Sequence, residues 1–385
     1  MRLCISKEFE KRNSPSFFYD ENFLKKLSAD SHWPRQSSAF WLNDSSYVCP
    51  YRQSEPAIFP IRVGTMISNS SLRGLIRGVL NYQRERAEEL RWSSLSDGML
   101  DLGATNALIR DVVESGGPYM VGRPGGTEGR LVAEYIRKRW GTGSPWPTGT
   151  YSRWVLNRAP DWSGIVGDGG EDYDVFAAIY LRAILSSDVL FVSDVAPSIF
   201  PWARSLRKAG CPIGNLSDLN PYRALKKKKD PWTSSLAGKK VLIVHPFEVS
   251  IRNQFARKGS ISGVREVLPD FELDVVKPPV TFAKENQSAN WLEQFRAVSR
   301  EISKRDFEVM IVGAGGYGLP LAELAKSLGK VGIHLGGELQ TLFGIRGRRF
   351  EEISSIAVHI DDSWVSPTPL ETPVHSTVVE GGSYW

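Results

Sequence analysis

The sequence predicts an α/β protein built on a Rossmann-like, doubly wound parallel sheet, with an irregular N-terminal extension and a C-terminal tail. Three observations carry this. From Tyr119 onward, short apolar runs alternate with helical patterns. The runs are apolar throughout, as strands covered on both faces must be, and do not alternate with polar residues. Two of them, ahead of "GRPGGTE" and "GAGGYG", run through a glycine turn into a helix.

Residues 1–70 are rich in Ser, Pro, Tyr and Trp and hold no sustained period, apart from a short strand expected at 57–63. Leu72, Leu75, Ile76, Val79 and Leu80 then share one face of an amphipathic helix, and a second helix covers 106–114. A strand at 119–121 leads through Gly125 and Gly126 into a helix capped by Thr127. Next come a helix over 175–185, a strand over 189–192 and a helix over 201–209 that stops at Gly210. The basic, turn-rich stretch around Lys226–Lys229 connects to the strand of "KKVLIVHPF" and a helix through Ile251 and Phe255. Strands at 273–276, 309–312 and 331–335 and helices at 291–302 and 319–328 complete a body over 71–350. Residues 351–385 form a Pro- and acid-rich tail whose Tyr384 and Trp385 are expected to dock on that body.

The chain has 385 residues, 41% of them hydrophobic, which suffices for one large core or two ordinary ones. Its net charge of +5 comes from 48 basic and 43 acidic residues, a balance suited to small anions and not to nucleic acid. Cys4, Cys49 and Cys211 stand apart, so neither a disulfide framework nor a zinc site is expected. Lys7, Glu8, Glu10 and Lys11 break the first apolar residues, and no apolar stretch is long enough to span a bilayer. A cytoplasmic protein follows, at most peripheral to the inner face of a membrane.

Gly313, Gly315 and Gly318 fit the spacing that lets backbone amides approach a pyrophosphate at a helix N-terminus. A full dinucleotide site would need an acidic residue at the end of the next strand, and "KVGIHLGGE" supplies His334, Gly336 and Gly337 there instead. The expectation is a half-site for a nucleoside diphosphate.

These residues carry a resemblance. "VMIVGAGGYGLPLAELAKSLGKVGIHLGGELQTLFGIRGRRF", with "GKKVLIVHPFEVSIRNQF", "GRPGGTE" and the closing "VEGGSYW", resembles bacterial GT-D-fold glycosyltransferases from surface-polysaccharide clusters. The likeness runs from about Pro118 to Trp385 and is most specific between Lys239 and Phe350. It implies one Rossmann-like domain and a nucleotide-sugar donor, with a carbohydrate or lipid-linked glycan as acceptor. It also implies a divalent Mg²⁺ or Mn²⁺ held by an Asp-x-Glu element, which falls here on Gly126-Thr127-Glu128, with Gly126 in place of the Asp.

Glycosyl transfer requires stabilisation of the departing diphosphate. Glu128, as metal or acceptor contact, and Arg123, whose fork of donors suits a diphosphate, are the catalytic candidates. Gly125, Gly126, His245, Pro246, Ser250, Gly313, Gly315, Gly316, Tyr317, Gly318, His334, Gly336 and Gly337 are expected to line the donor site from several strand ends, Tyr317 by stacking. Arg346 and Arg348, clustered with Arg349, suit an acidic acceptor. "GDGGEDYD", with Asp168, Glu171, Asp172 and Asp174, reads as a surface turn or a metal loop. Two rival classes share the glycine turn: an NAD(P)-dependent oxidoreductase and a non-catalytic nucleotide- or glycan-binding module.

Overall fold

The computed structural model of the chain describes residues 92–385, apart from 141–150, 168–169, 195 and 287. The N-terminal extension over 1–70, its strand at 57–63, the helix from Leu72 and Asp168 lie outside the described residues. Seven parallel strands form the sheet: β1 (Tyr119–Gly122), β2 (Val189–Val192), β3 (Ile213–Asn215), β4 (Lys240–Val244), β5 (Glu272–Val276), β6 (Val309–Val312) and β7 (Val331–His334). Their order is β3-β2-β1-β7-β6-β4-β5, an α/β, Rossmann-like arrangement in which β7, last in sequence, joins the two halves.

Period-two geometry divides each strand between two layers. Val121, Val189, Ile243, Ile311 and Ile333 point into one continuous apolar core, while Met120, Leu190, Leu242 and Met310 are equally buried on the other face. Each such Val or Ile side chain removed from water contributes about 1.5–3 kcal/mol. The connecting helices are α1 (Leu102–Ser115), α2 (Gly126–Trp140), α3 (Arg153–Ser163), α4 (Gly170–Ser186), α5 (Phe200–Lys208), α6 (Pro221–Lys226), α7 (Glu248–Ala256), α8 (Trp291–Ile302) and α9 (Gly318–Ser327).

Strand expectations agree to within a residue, apart from β3, a three-residue edge strand that follows Pro212 and went unread. Two of these nine helices were also not expected. In α3, Pro160 reads as a breaker, yet it sits in the last turns of a helix that Ser152 caps and that Gly164 ends in the left-handed region (φ 68°, ψ 24°). In α6, Asn220 supplies the cap and Pro221 the first position, within a stretch that composition marks as a linker. The α2 helix begins at Gly126, so Thr127 lies inside its first turn and is not its cap.

The connections place two crevices at the C-terminal edge of the sheet. After β1 the chain turns towards β2, while after β7 the segment Gly336–Phe343 packs the other way, towards α7 and β6. After β6, α9 returns over β7 and β1, while α7 leaves β4 towards β5. Such partings, above β1–β7 and above β6–β4, are where open α/β sheets take ligands.

Residues 351–385 lie on the body within the same compact unit. The Trp385 indole N–H donates to the Glu371 carbonyl at 3.1 Å, and its ring lies 6.3 Å from Phe247 and 6.0 Å from Phe282.

Candidate functional site

The crevice above β1–β7 gathers the charged residues. Arg123 follows β1 directly and packs on Gly336, where an added Cβ would stand 2.8 Å from its Nη1. The Arg123 Nε is buried and has no hydrogen-bond partner among the described residues. An unsatisfied buried donor costs roughly 1–3 kcal/mol, so an acceptor oxygen brought to this atom would be favoured.

Glu128 stands in the first turn of α2, where the helix dipole favours a carboxylate. It is only 7% exposed, folds back against Gly125 and its own backbone N–H, and accepts from the Ser163 hydroxyl. Burial raises its pKa; these two hydrogen bonds and the Arg123 charge oppose that rise. The Gly125 N–H donates to the Tyr180 hydroxyl at 2.9 Å. Burial, reinforced by the Glu128 charge, keeps that phenol protonated far above its ordinary range.

From the opposite wall come Glu338 and, through the tail, Tyr384 and Glu380. The Asn220 Nδ2 donates to Glu338 Oε2 at 2.7 Å. Arg349 Nη1 donates to the Tyr384 hydroxyl at 2.6 Å and to Glu380 Oε2 at 2.9 Å. The Tyr384 ring fills the space that a side chain at Gly337 would need. Burial raises the pKa of Glu338 and of Tyr384, and the charges of Arg349 and Arg123 oppose both shifts. Arg123 thus acts on Glu128, Glu338, Tyr180 and Tyr384 together. His334 is buried beside it, and burial with the Arg123 charge lowers the imidazole pKa to about 3.

No protein-family profile, curated protein or solved structure matches the chain. What the site can do therefore follows from its own geometry.

The late glycine turn adjoins this crevice but is mostly covered by the chain itself. A Cβ at Gly313 would meet the Gly336 carbonyl at 2.5 Å and His245 at 2.9 Å; one at Gly316 would meet Ile165 and the Ser163 carbonyl at 2.9 Å; one at Gly318 would collide with the His334 ring. Gly315, at φ 50°, is the exposed residue of the turn. Close packing accounts for these glycines, and Ser163 joins their turn to Glu128.

Other expected contacts are taken by protein partners. Tyr317 does not present its ring for stacking on a ligand: it is 2% exposed, lies flat on Trp291 with centroids 5.4 Å apart, and shares a hydrogen bond with Thr281. Ser250 is not free for phosphate, because its hydroxyl donates to Glu371 Oε2 at 2.5 Å. Glu371 also accepts from the Val249 and Ser250 amides, which seats the chain's own carboxylate on the N-terminus of α7. His245 Nδ1 accepts from the Phe247 amide at 3.1 Å, and Pro246 is buried in that turn. The guanidinium groups of Arg346 and Arg348 donate to the carbonyls of Asp361 and Gly381, which anchors the tail and not an acceptor. Asp174 binds Lys138 and Tyr151, and Asp172 binds Asn290, so these acids fasten helices instead of forming a metal loop.

The metal implied for Glu128 does not fit the donor set. Gly126 contributes no oxygen ligand from a side chain, the Glu128 carboxylate is already engaged, and no group of three His, Cys, Asp or Glu among the described residues is placed to hold a cation. Sequence reasoning did not single out Ser163, Tyr180, Asn220, Glu338 or Glu380. Only Glu338 had a visible signal, its position just after the His334 strand end.

Proposed function

We propose that the chain is a glycosyltransferase that uses a nucleoside-diphosphate sugar, of the GT-D type its sequence resembles. The observation that carries this is Arg123: an arginine at a strand end, in the β1–β7 crevice, with a buried donor that lacks an acceptor. A diphosphate would supply the acceptor oxygens, and the N-terminus of α2 beside it adds a favourable dipole. As the bond to the anomeric carbon breaks, negative charge grows on the departing diphosphate, where a fixed guanidinium stabilises it without reorganisation.

The acceptor is a carbohydrate or lipid-linked glycan, reached from the rim where Glu338 and Tyr384 stand. No helix of the described residues is long and apolar enough to cross a membrane, which agrees with at most peripheral attachment. The charge on the leaving group is assigned to Arg123 and α2, so turnover is expected to persist in EDTA.

A thermal-shift screen of UDP, GDP, UDP-sugars, GDP-sugars and NADH tests the proposal. A nucleoside diphosphate at a hundred times its Kd should add about 2.7 kcal/mol of apparent stability. Stabilisation by NADH alone would favour a dehydrogenase and end this proposal. Binding of diphosphates without release of sugar from any donor, with or without Mn²⁺, would make the protein a binding module.

A further inference from the structure

Two carboxylates flank Arg123, and their settings differ. Glu128 is walled in, with its oxygens turned to Gly125, Ser163 and its own amide. Glu338 is partly exposed at the rim, with only Oε2 committed, to Asn220; no hydrogen bond to Oε1 is made among the described residues. The Asn220 amide cannot turn around, because its Oδ1 accepts from the Tyr222 N–H at 3.0 Å as the cap of α6. Its NH₂ must therefore face Glu338, and as a pure donor it favours the ionised carboxylate. Two cations face the same group, Arg123 from the end of β1 and Arg349 from the turn at Arg348–Glu351.

We propose that Glu338 is the general base that takes the proton from the acceptor hydroxyl, with Asn220 as its positioning residue. The role rests on the glycosyl-transfer proposal above. In the step, the acceptor O–H proton passes to Glu338 Oε1 while the acceptor oxygen forms its bond to the anomeric carbon. The bond from that carbon to the diphosphate oxygen breaks, and its electron pair leaves with the diphosphate beside Arg123. One displacement of this kind inverts the anomeric centre. Glu338 is kept partly desolvated, which raises its basicity, while the Asn220 hydrogen bond and the charges of Arg123 and Arg349 oppose that rise.

The test compares wild type, Glu338→Gln, Glu338→Asp and Asn220→Ser on a panel of UDP- and GDP-sugars with p-nitrophenyl glycosides as acceptors, alongside titration with UDP and GDP. Glu338→Gln should lower kcat by about a hundredfold or more while UDP and GDP bind as before. Glu338→Asp should recover part of that loss. Serine at 220 still caps α6 but no longer donates to Glu338, so the acid limb of the kcat–pH profile should move to higher pH. A structural defect would lower activity without moving that limb. Undiminished kcat in Glu338→Gln, an unmoved limb in Asn220→Ser, or a product of retained configuration overturns the role of Glu338 alone. No turnover in the wild type overturns the glycosyl-transfer proposal and this base with it.

Discussion

Under the proposed function, Arg123 is the residue on which donor binding should depend. Arg123→Ala should weaken UDP or GDP binding at least tenfold, about 1.4 kcal/mol, as measured by isothermal titration. Arg123→Lys should recover only part of this, since it keeps the charge but loses the planar fork. If the alanine variant binds UDP and GDP as tightly as wild type, the diphosphate lies elsewhere. The placement of Arg123 and Glu128 was legible because both are local to one strand–turn–helix unit. For Glu338 only the position after a strand end was visible, because its hydrogen bond is to a residue 118 positions away. Tyr180 is likewise defined by an amide 55 positions away, and no pattern of neighbouring residues announces such a bond.

At the scale of elements, the glycine turn is a joint between strands and helices more than a cradle. Gly318→Ala would drive a methyl group into the buried His334 ring, and a chemical denaturation curve should show a loss of about 1–3 kcal/mol. An unchanged midpoint would mean that the His334 ring moves aside freely. Glu371→Gln removes the charge from a carboxylate that accepts from Val249, Ser250 and Thr368. It should lower stability by about 1–3 kcal/mol and raise the protease sensitivity of the tail. Strands such as β2 and β6 were read correctly because burial on both faces leaves a purely apolar signature. The β3, α3 and α6 elements were missed where shortness, an internal proline and a lysine run outweighed weak apolar patterns. Tertiary packing decides such segments, and local propensity does not see it.

For the whole molecule, two buried imidazoles give stability a definite pH dependence. Burial lowers the pKa of both His245 and His334 to about 3, against an ordinary value of 6.5. Between those values the unfolded chain binds the more protons, so the stability from keeping both rings neutral is complete above pH 6.5 and is lost as pH falls towards 3. Within that window the slope should approach two protons, about 2.7 kcal/mol per pH unit. Urea midpoints at pH 7, 6 and 5 measure it, and a His334→Asn variant should show about half the slope from these two groups. A flat profile would show that the rings are hydrated or paired. The overall architecture was the most legible level, since alternation of strands and helices is repeated along the chain. The fate of the rim depended on the tail, whose sequence gives no hint of where its carboxylate lands.

That landing place leaves the helix after β4 with its anion already supplied. Glu371 is a built-in counter-ion for the helix after β4, and Trp385 latches the loop that carries it. A soluble phosphate would have to evict both before it could settle there. The flank above β6–β4 is thus served from within the chain, and a mobile anion finds no vacant helix N-terminus there.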